Sequence, residues 1–242
     1  LVLACFALAP ASAQSAPPAS PTGWQFQITP YLWGSGLSGD VGVGKLQATG
    51  VEASFSDILS DLHFAFMGAF EARTGRWGFL TDAIYVDLSA SKPTPNGLFG
   101  NADVSLTDQI YTALGMYRVS DGKCKVDVLF GPRYSSLDTD LTLTSGVAAG
   151  RTASGGVSWW DAIGGARLTW QSEKGWLVSG YADIGGGSDD FTWEAVAAGG
   201  YRFKKLVTLS LGYRYLSVDY DDDRVVYDMA MAGPFLGVGF RF

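Results

Sequence analysis

Charged residues in this chain fall on one side of a two-residue alternation. Glu71, Arg73, Lys125, Arg202 and Arg241 lie close to short turn sequences, and Asp127, Arg133, Asp161, Arg167, Asp183, Glu194 and Arg214 lie further along the same periodic segments. Both signs are present, and each charge faces away from an apolar row. Enclosed together, such residues can do one of two things. They can form a charged constriction that selects small solutes, or they can pair with one another and fill the interior that encloses them.

Two other groups invite chemistry. His63 is the single histidine and follows the acidic stretch "SDILSD" at 56–61. With Phe64, Phe66 and Phe70 on the apolar row, the alternation turns His63 inward near one rim, where Asp61 or Asp57 offers a dyad partner. Adjacent strand residues point to opposite faces, which counts against Asp61, and no nucleophile motif accompanies the pair. The expectation is a polar rim residue with no catalytic role. The run "DYDDDR" at 219–224 gathers four carboxylates, the oxygen ligands that hard cations prefer. It lacks the spacing of a dedicated calcium loop and reads as a solvated acidic loop tip, so no metal site and no cofactor are assigned. The glycine groups at 184–187 and 198–200 precede no helix, so they are not phosphate loops.

The elements that must carry these residues are strands. From Trp24 onward the period is two, broken by short turns at 73–76, 120–123, 172–175 and 204–205, and by longer, glycine-, acid- or proline-rich connections at roughly 41–61, 91–100, 145–156, 186–190 and 221–224. Short and long connections alternate, which predicts an all-β, up-and-down antiparallel transmembrane barrel of about ten strands, with eight or twelve as alternatives. The segment 54–62 has helical spacing and predicts a short rim or plug helix; an extra strand pair there gives the count of twelve.

Parity sharpens the prediction. On 157–171, Trp160, Ala162, Gly164, Ala166, Leu168 and Trp170 share one face, with Ile163 an exception on the other. Trp160 and Trp170 stand about 33 Å apart along a strand at ~3.3 Å per residue. Tilted, that span matches the roughly 25 Å apolar band between two aromatic girdles. One segment resists the pattern: on 77–88, Asp82 shares parity with Leu80, Ile84, Val86 and Leu88.

Composition excludes other classes. The net charge of −7 leaves no basic face for nucleic acid. No stretch beyond the N-terminus is apolar over the ~18 residues that a membrane helix needs. The segment 1–13, "LVLACFALAPASA", reads as the apolar part and cleavage site of an export signal. Residues 14–22 read as a flexible leader, and 23–242 as the barrel.

With these residues in view, the chain resembles the Gram-negative outer-membrane β-barrel proteins, of the small porin-like or outer-membrane protein A-like kind. Phe242, Phe240 and Val238, at every second place, look like the C-terminal signal read by the barrel-assembly machinery. The opening "GWQFQITPYLWGSGLSG" is similar to the first strand of small proteobacterial barrels. The resemblance implies a bacterial outer membrane, with lipid, lipopolysaccharide and the assembly machinery as partners, and small solutes as further candidates. It implies a passive role, as a small channel or a structural barrel. An enzyme centred on His63, similar to outer-membrane proteases or lipid-A deacylases, and a surface adhesion barrel are the alternatives.

Overall fold

The computed structural model describes residues 23–43, 49–94, 99–146, 148–187, 190–204, 206–222 and 225–242; the expected signal segment and leader lie outside them. The strands are β1 (Gln25–Trp33), β2 (Gly36–Val43), β3 (Thr49–Ala53), β4 (Leu62–Thr74), β5 (Trp77–Pro93), β6 (Phe99–Asp121), β7 (Cys124–Ser145), β8 (Arg151–Gln171), β9 (Trp176–Gly186), β10 (Asp190–Phe203), β11 (Val207–Asp222) and β12 (Val225–Arg241), with one helix, α1 (Phe55–Ser60).

Ten of these strands close a wall. β4 to β12 pair in chain order, and β1 pairs with β4 on one side and β12 on the other, all antiparallel. The seam is set by Ile28 opposite Phe240 and Leu32 opposite Leu236. It is finished by paired backbone hydrogen bonds between Phe26 and Phe242, 3.0 Å each. The helix expected over 54–62 is present as α1, and an extra strand pair is present too, but before that segment and not within it. β2 continues the line of β1 along the other half of β12, β3 folds back on β2, and α1 follows. These two strands stand outside the closed wall, and α1 buries none of its residues, so it is a rim helix and not a plug. The step from β1 to β2 passes Gly34, whose N–H donates to the Pro234 carbonyl. Gly233 is required at this point, because a Cβ there would strike the Gly34 carbonyl oxygen.

The alternation is inverted relative to a soluble protein. Phe130 is 69% exposed on the outside, whereas Arg133, three residues further along β7 on the opposite parity, is fully enclosed. Aromatic contacts ring the outside at two levels. Trp77 with Tyr117 and Trp176 with Tyr201 lie beside the tight turns, while Tyr111, Tyr134 and Trp160 form a row across β6, β7 and β8 higher up. This is the aromatic-girdled apolar belt of a transmembrane barrel. The tight turns use left-handed glycines, Gly75 (φ 55°) and Gly175 (φ 93°).

Two expectations change. The stretch 145–156 is not a long loop. β7 runs to Ser145 and β8 starts at Arg151, held in register from Leu143–Arg151 down to Cys124–Trp170. β6, β7 and β8 are 23, 22 and 21 residues long, about twice what a tilted strand needs to cross a bilayer. Their surplus stands as tall hairpins beyond the belt. Second, the segment 77–88 that resisted the pattern runs without a break in register against β6, with its Leu80–Asp82–Ile84 row turned inward. Trp77 and Phe79 face outward, and Leu80, Asp82 and Ile84 face the lumen, with Ile84 only 2% exposed.

Candidate functional site

Along β5, β7, β8 and β11 the lumen-facing row alternates apolar and ionic steps, so the interior is layered. Beside the tight turns, Asp127 is fully enclosed and is met by three guanidiniums. Arg118 Nε donates to its Oδ1 at 2.7 Å, and Arg73 Nη2 and Arg167 Nη2 each lie 3.1 Å from Oδ2. Arg167 also donates to both oxygens of Glu71, at 2.8 and 3.1 Å, in a bidentate fork. Arg73 Nε reaches Glu71 at 3.3 Å, and Arg118 reaches Asp121 at 3.0 Å. The next layer is apolar, made by Leu114, Met116, Leu129 and Ile163 with Leu80 and Tyr181 against them.

One inward step further, the lumen is ionic again. Arg133 donates to Asp183 at 2.8 Å, Glu194 at 2.6 Å, and the hydroxyls of Thr112 and Thr192 at 3.2 Å. Arg214 lies 2.8 Å from Glu194 and 3.1 Å from Asp82. Its Nη1 donates to the Tyr31 hydroxyl, which in turn donates to Asp82 at 2.9 Å. Tyr181 donates to Asp183 in a short contact. Asp161, opposite Arg133 across the β7–β8 pair, is enclosed at the same level. Burying Arg133, Asp183, Glu194 and Arg214 is tolerable because each is held by a partner of opposite sign.

A second apolar layer lies two residues beyond. Along single strands Asp82 gives way to Ile84, Thr112 to Ile110, Asp161 to Trp159, Arg214 to Leu216 and Tyr31 to Trp33. These side chains join Val218, Met229 and Met231 in one packed cluster, with Ile84, Ile110, Leu216 and Met229 each at most 2% exposed. Trp33 Nε1 donates to the Gly233 carbonyl, and the Arg214 guanidinium stacks on the Trp33 ring at 4.9 Å. This cluster is a plug on the side away from the tight turns. Below it lie two adjoining cavities. One of about 250 Å³ is lined by Tyr31, Asp82, Arg133, Glu194 and Arg214, and one of about 220 Å³ opens at the tight-turn end. They share Gln27, Glu71, Arg167, Ser179 and Ser210 as walls.

The charged residues read from the alternation as inward-facing lie on the lumen side, in two separate groups. Arg202 and Arg241, with Lys125, line the mouth of the smaller cavity. Sequence reasoning missed Tyr31, Asp82, Arg118, Thr112, Tyr181 and Thr192, all of which partner those charges. Asp82 left a trace as the one acidic residue in an apolar row. The hydroxyls left none, because Thr and Tyr are equally at home on either face of a strand.

The expected placement of His63 is corrected. A register shift between Leu62 and Phe64 adds one residue to β4, so His63 does not take the inward place that simple alternation gives it. Its side chain is 74% exposed, and its Nδ1 lies 2.9 Å from Asp87 Oδ2, not near Asp61 or Asp57. Asp57 is engaged elsewhere: its carboxylate accepts from the Ser54 hydroxyl at 2.6 Å and the Ser54 N–H at 3.0 Å, capping α1. Those bonds hold its carboxyl below the usual carboxylate range. In the acidic run, Asp219, Asp221 and Asp222 belong to β11, with Asp219 opposite Asp228, while residues 223 and 224 lie outside the described residues. Among the described residues no three His, Cys, Asp or Glu side chains converge as a metal site.

A closed ten-strand wall, an apolar girdled outside and a polar, ion-paired inside define an outer-membrane-type transmembrane β-barrel, and this belt and fold place the chain in a bacterial outer membrane. Comparison with family models and with curated sequences finds no match. Comparison with solved structures finds the outer-membrane protease OmpT from Escherichia coli, at TM-score 0.56 and 8% identity over 93% of this chain and 99% of that one. The translocator domain of the autotransporter NalP from Neisseria meningitidis matches at TM-score 0.45 and 14% identity, over 91% of this chain and 89% of that one. The attachment invasion locus protein Ail of Yersinia pestis matches at 0.36 and 10%, over 91% and 99%. The first likeness is one of fold, with chemistry left to the residues of this chain.

Proposed function

We propose that this chain is a passive, non-catalytic barrel of the outer membrane, structural in role, with a lumen sealed toward the long-hairpin side. The packed cluster of Trp33, Ile84, Ile110, Trp159, Leu216 and Met229 carries this reading, because it sets closely packed, buried apolar side chains across the lumen. Of the two uses of the inward charges, pairing and filling fits better than a solute-selecting constriction. Asp127, Arg133, Asp183 and Glu194 are spent on one another and on their neighbours. In this role the outward belt meets lipid and lipopolysaccharide, and the outward-facing Phe240 and Phe242, with Val238 two places before them, serve the assembly machinery.

The test is electrical. Purified protein incorporated into a planar bilayer is expected to give no discrete current steps, while its folded form still migrates differently on a gel before and after heating. Regular steps from the unaltered chain would replace the sealed barrel with a channel.

The enzyme alternative has its own test. The His63–Asp87 pair is a solvent-exposed contact, worth roughly 0–1 kcal/mol. His63→Ala is therefore expected to leave the unfolding midpoint and any hydrolytic activity of the purified barrel unchanged. Loss of a peptidase or esterase activity in that variant would make the rim catalytic.

A further inference from the structure

The two ionic layers are not balanced alike. Around the cavity at the tight-turn end stand Arg73, Arg118, Lys125, Arg167, Arg202 and Arg241. The carboxylates within reach of them are Glu71, Asp121 and Asp127, and these are taken up by Arg73, Arg118 and Arg167. Lys125, Arg202 and Arg241 have no carboxylate partner among the described residues. Among the described residues Arg202 is held by neutral acceptors, the Gln171 amide oxygen at 2.8 Å and the Thr208 hydroxyl at 3.3 Å. Arg241 has the Gln27 amide oxygen at 3.4 Å. Those contacts fix the guanidiniums without neutralising them.

A second observation points the same way. Arg73, itself 9% exposed, and Arg167 both line this cavity, and each keeps one buried nitrogen, Nη1 and Nε respectively, with no hydrogen-bond partner. A buried donor without an acceptor is costly, and a guanidinium is built to give two parallel bonds to one oxyanion. An excess of three positive charges around an open space of about 220 Å³ exceeds what one monocarboxylate neutralises. A dianion with several acceptor oxygens suits it.

We infer that this mouth is a binding site for a phosphate-class dianion, taken as free phosphate or as the phosphate of a small soluble ester. The ligand sits among Lys125, Arg202 and Arg241, with Gln171 and Thr208 orienting the Arg202 guanidinium and Gln27 that of Arg241. The site is blind, because the apolar plug lies above it. It requires no transport and adds to the passive barrel a ligand-occupied floor.

Titration calorimetry on the detergent-solubilised chain, in chloride buffer at pH 7.5, tests this. Inorganic phosphate and glycerol 3-phosphate are run separately, with acetate as the monoanion control. Saturable heat is expected with phosphate and none with acetate. Heat from both phosphates marks a site that accepts esters, and heat from inorganic phosphate alone marks one that takes the free ion. Arg202→Gln/Arg241→Gln should weaken binding at least tenfold, and Arg151→Gln, on a distant exposed strand end, should leave it unchanged. Lys125→Gln serves as the single-site check should the double variant fail to show heat-modifiable migration, with weakened binding expected again. Absence of phosphate heat in the unaltered chain, equal binding of acetate, or undiminished binding in the folded variants overturns the site.

Discussion

Arg133→Met is expected to lower the stability of the folded barrel by about 3–5 kcal/mol, the range for removing one partner of a buried ion pair. Among the described residues Arg133 is the one cation that touches both Asp183 and Glu194, and it also satisfies Thr112 and Thr192. It closes four strands, β6, β7, β9 and β10, through a single side chain. Without it Asp183 keeps only the Tyr181 hydroxyl, and Glu194 must rely on Arg214, which already serves Asp82. Arg214 is then left alone against Asp82, Asp183 and Glu194 in a closed space, and Coulomb repulsion adds to the lost hydrogen bonds. The measurement is the urea midpoint of tryptophan fluorescence for protein refolded into vesicles. The companion variant Arg133→Met/Asp183→Asn/Glu194→Gln removes the excess charge and keeps acceptors for Tyr181 and Arg214. It should regain most of the loss, because replacing a whole buried ionic group with neutral partners is close to neutral. A triple variant as unstable as the single one would show that Arg133 matters for its packing and not for its charge.

The sequence shows this layer only in outline, and the reason is physical. A period of two says which residues share a face, but not which face meets lipid. In strands such as β7 and β11, charge decides, because Arg133, Asp127 and Arg214 cannot face hydrocarbon. In β5 the two rows are nearly equal in polarity. Both apolar layers of the lumen draw on it, so Leu80 and Ile84 imitate a lipid-facing row and only Asp82 betrays it. Ile163, out of place on β8, is the same signal from the neighbouring side of that layer. The tall hairpins were hidden for the opposite reason. Residues 151–156 are exposed throughout, so neither face is buried and no alternation is imposed on them. Their ladder with β7 is made by backbone hydrogen bonds, which serine, glycine and alanine form as well as valine does. His63 was misplaced by one extra residue in β4, and a bulge of that kind leaves no mark in the order of residue types.

Opening the plug should convert a silent barrel into a conducting one. Trp33, Leu216 and Met231 meet where β1, β11 and β12 adjoin, with Leu216 directly opposite Met231 in register. The variant Trp33→Ala/Leu216→Ala/Met231→Ala removes an indole and two long side chains from one sector of the plug. Each truncation of this kind in a soluble core costs about 2–5 kcal/mol, part of it for the cavity left behind. Here the cavity joins the space of about 250 Å³ beneath it, which is lined by Tyr31, Arg214 and Phe235 and shares walls with the mouth at the tight turns. Water can then solvate the new gap, which returns part of that cost and creates a wet path through the barrel. Single-channel recording should show discrete steps in this variant and none in the unaltered chain. The control is Phe130→Ala, which removes a comparable apolar side chain from the outer face, where Phe130 is 69% exposed, and it should stay silent. Steps in the triple variant alone place the seal in the cluster around Trp33. A silent triple variant that still folds moves the seal down to the ionic layer, where Arg133, Asp183 and Glu194 would close the lumen by themselves.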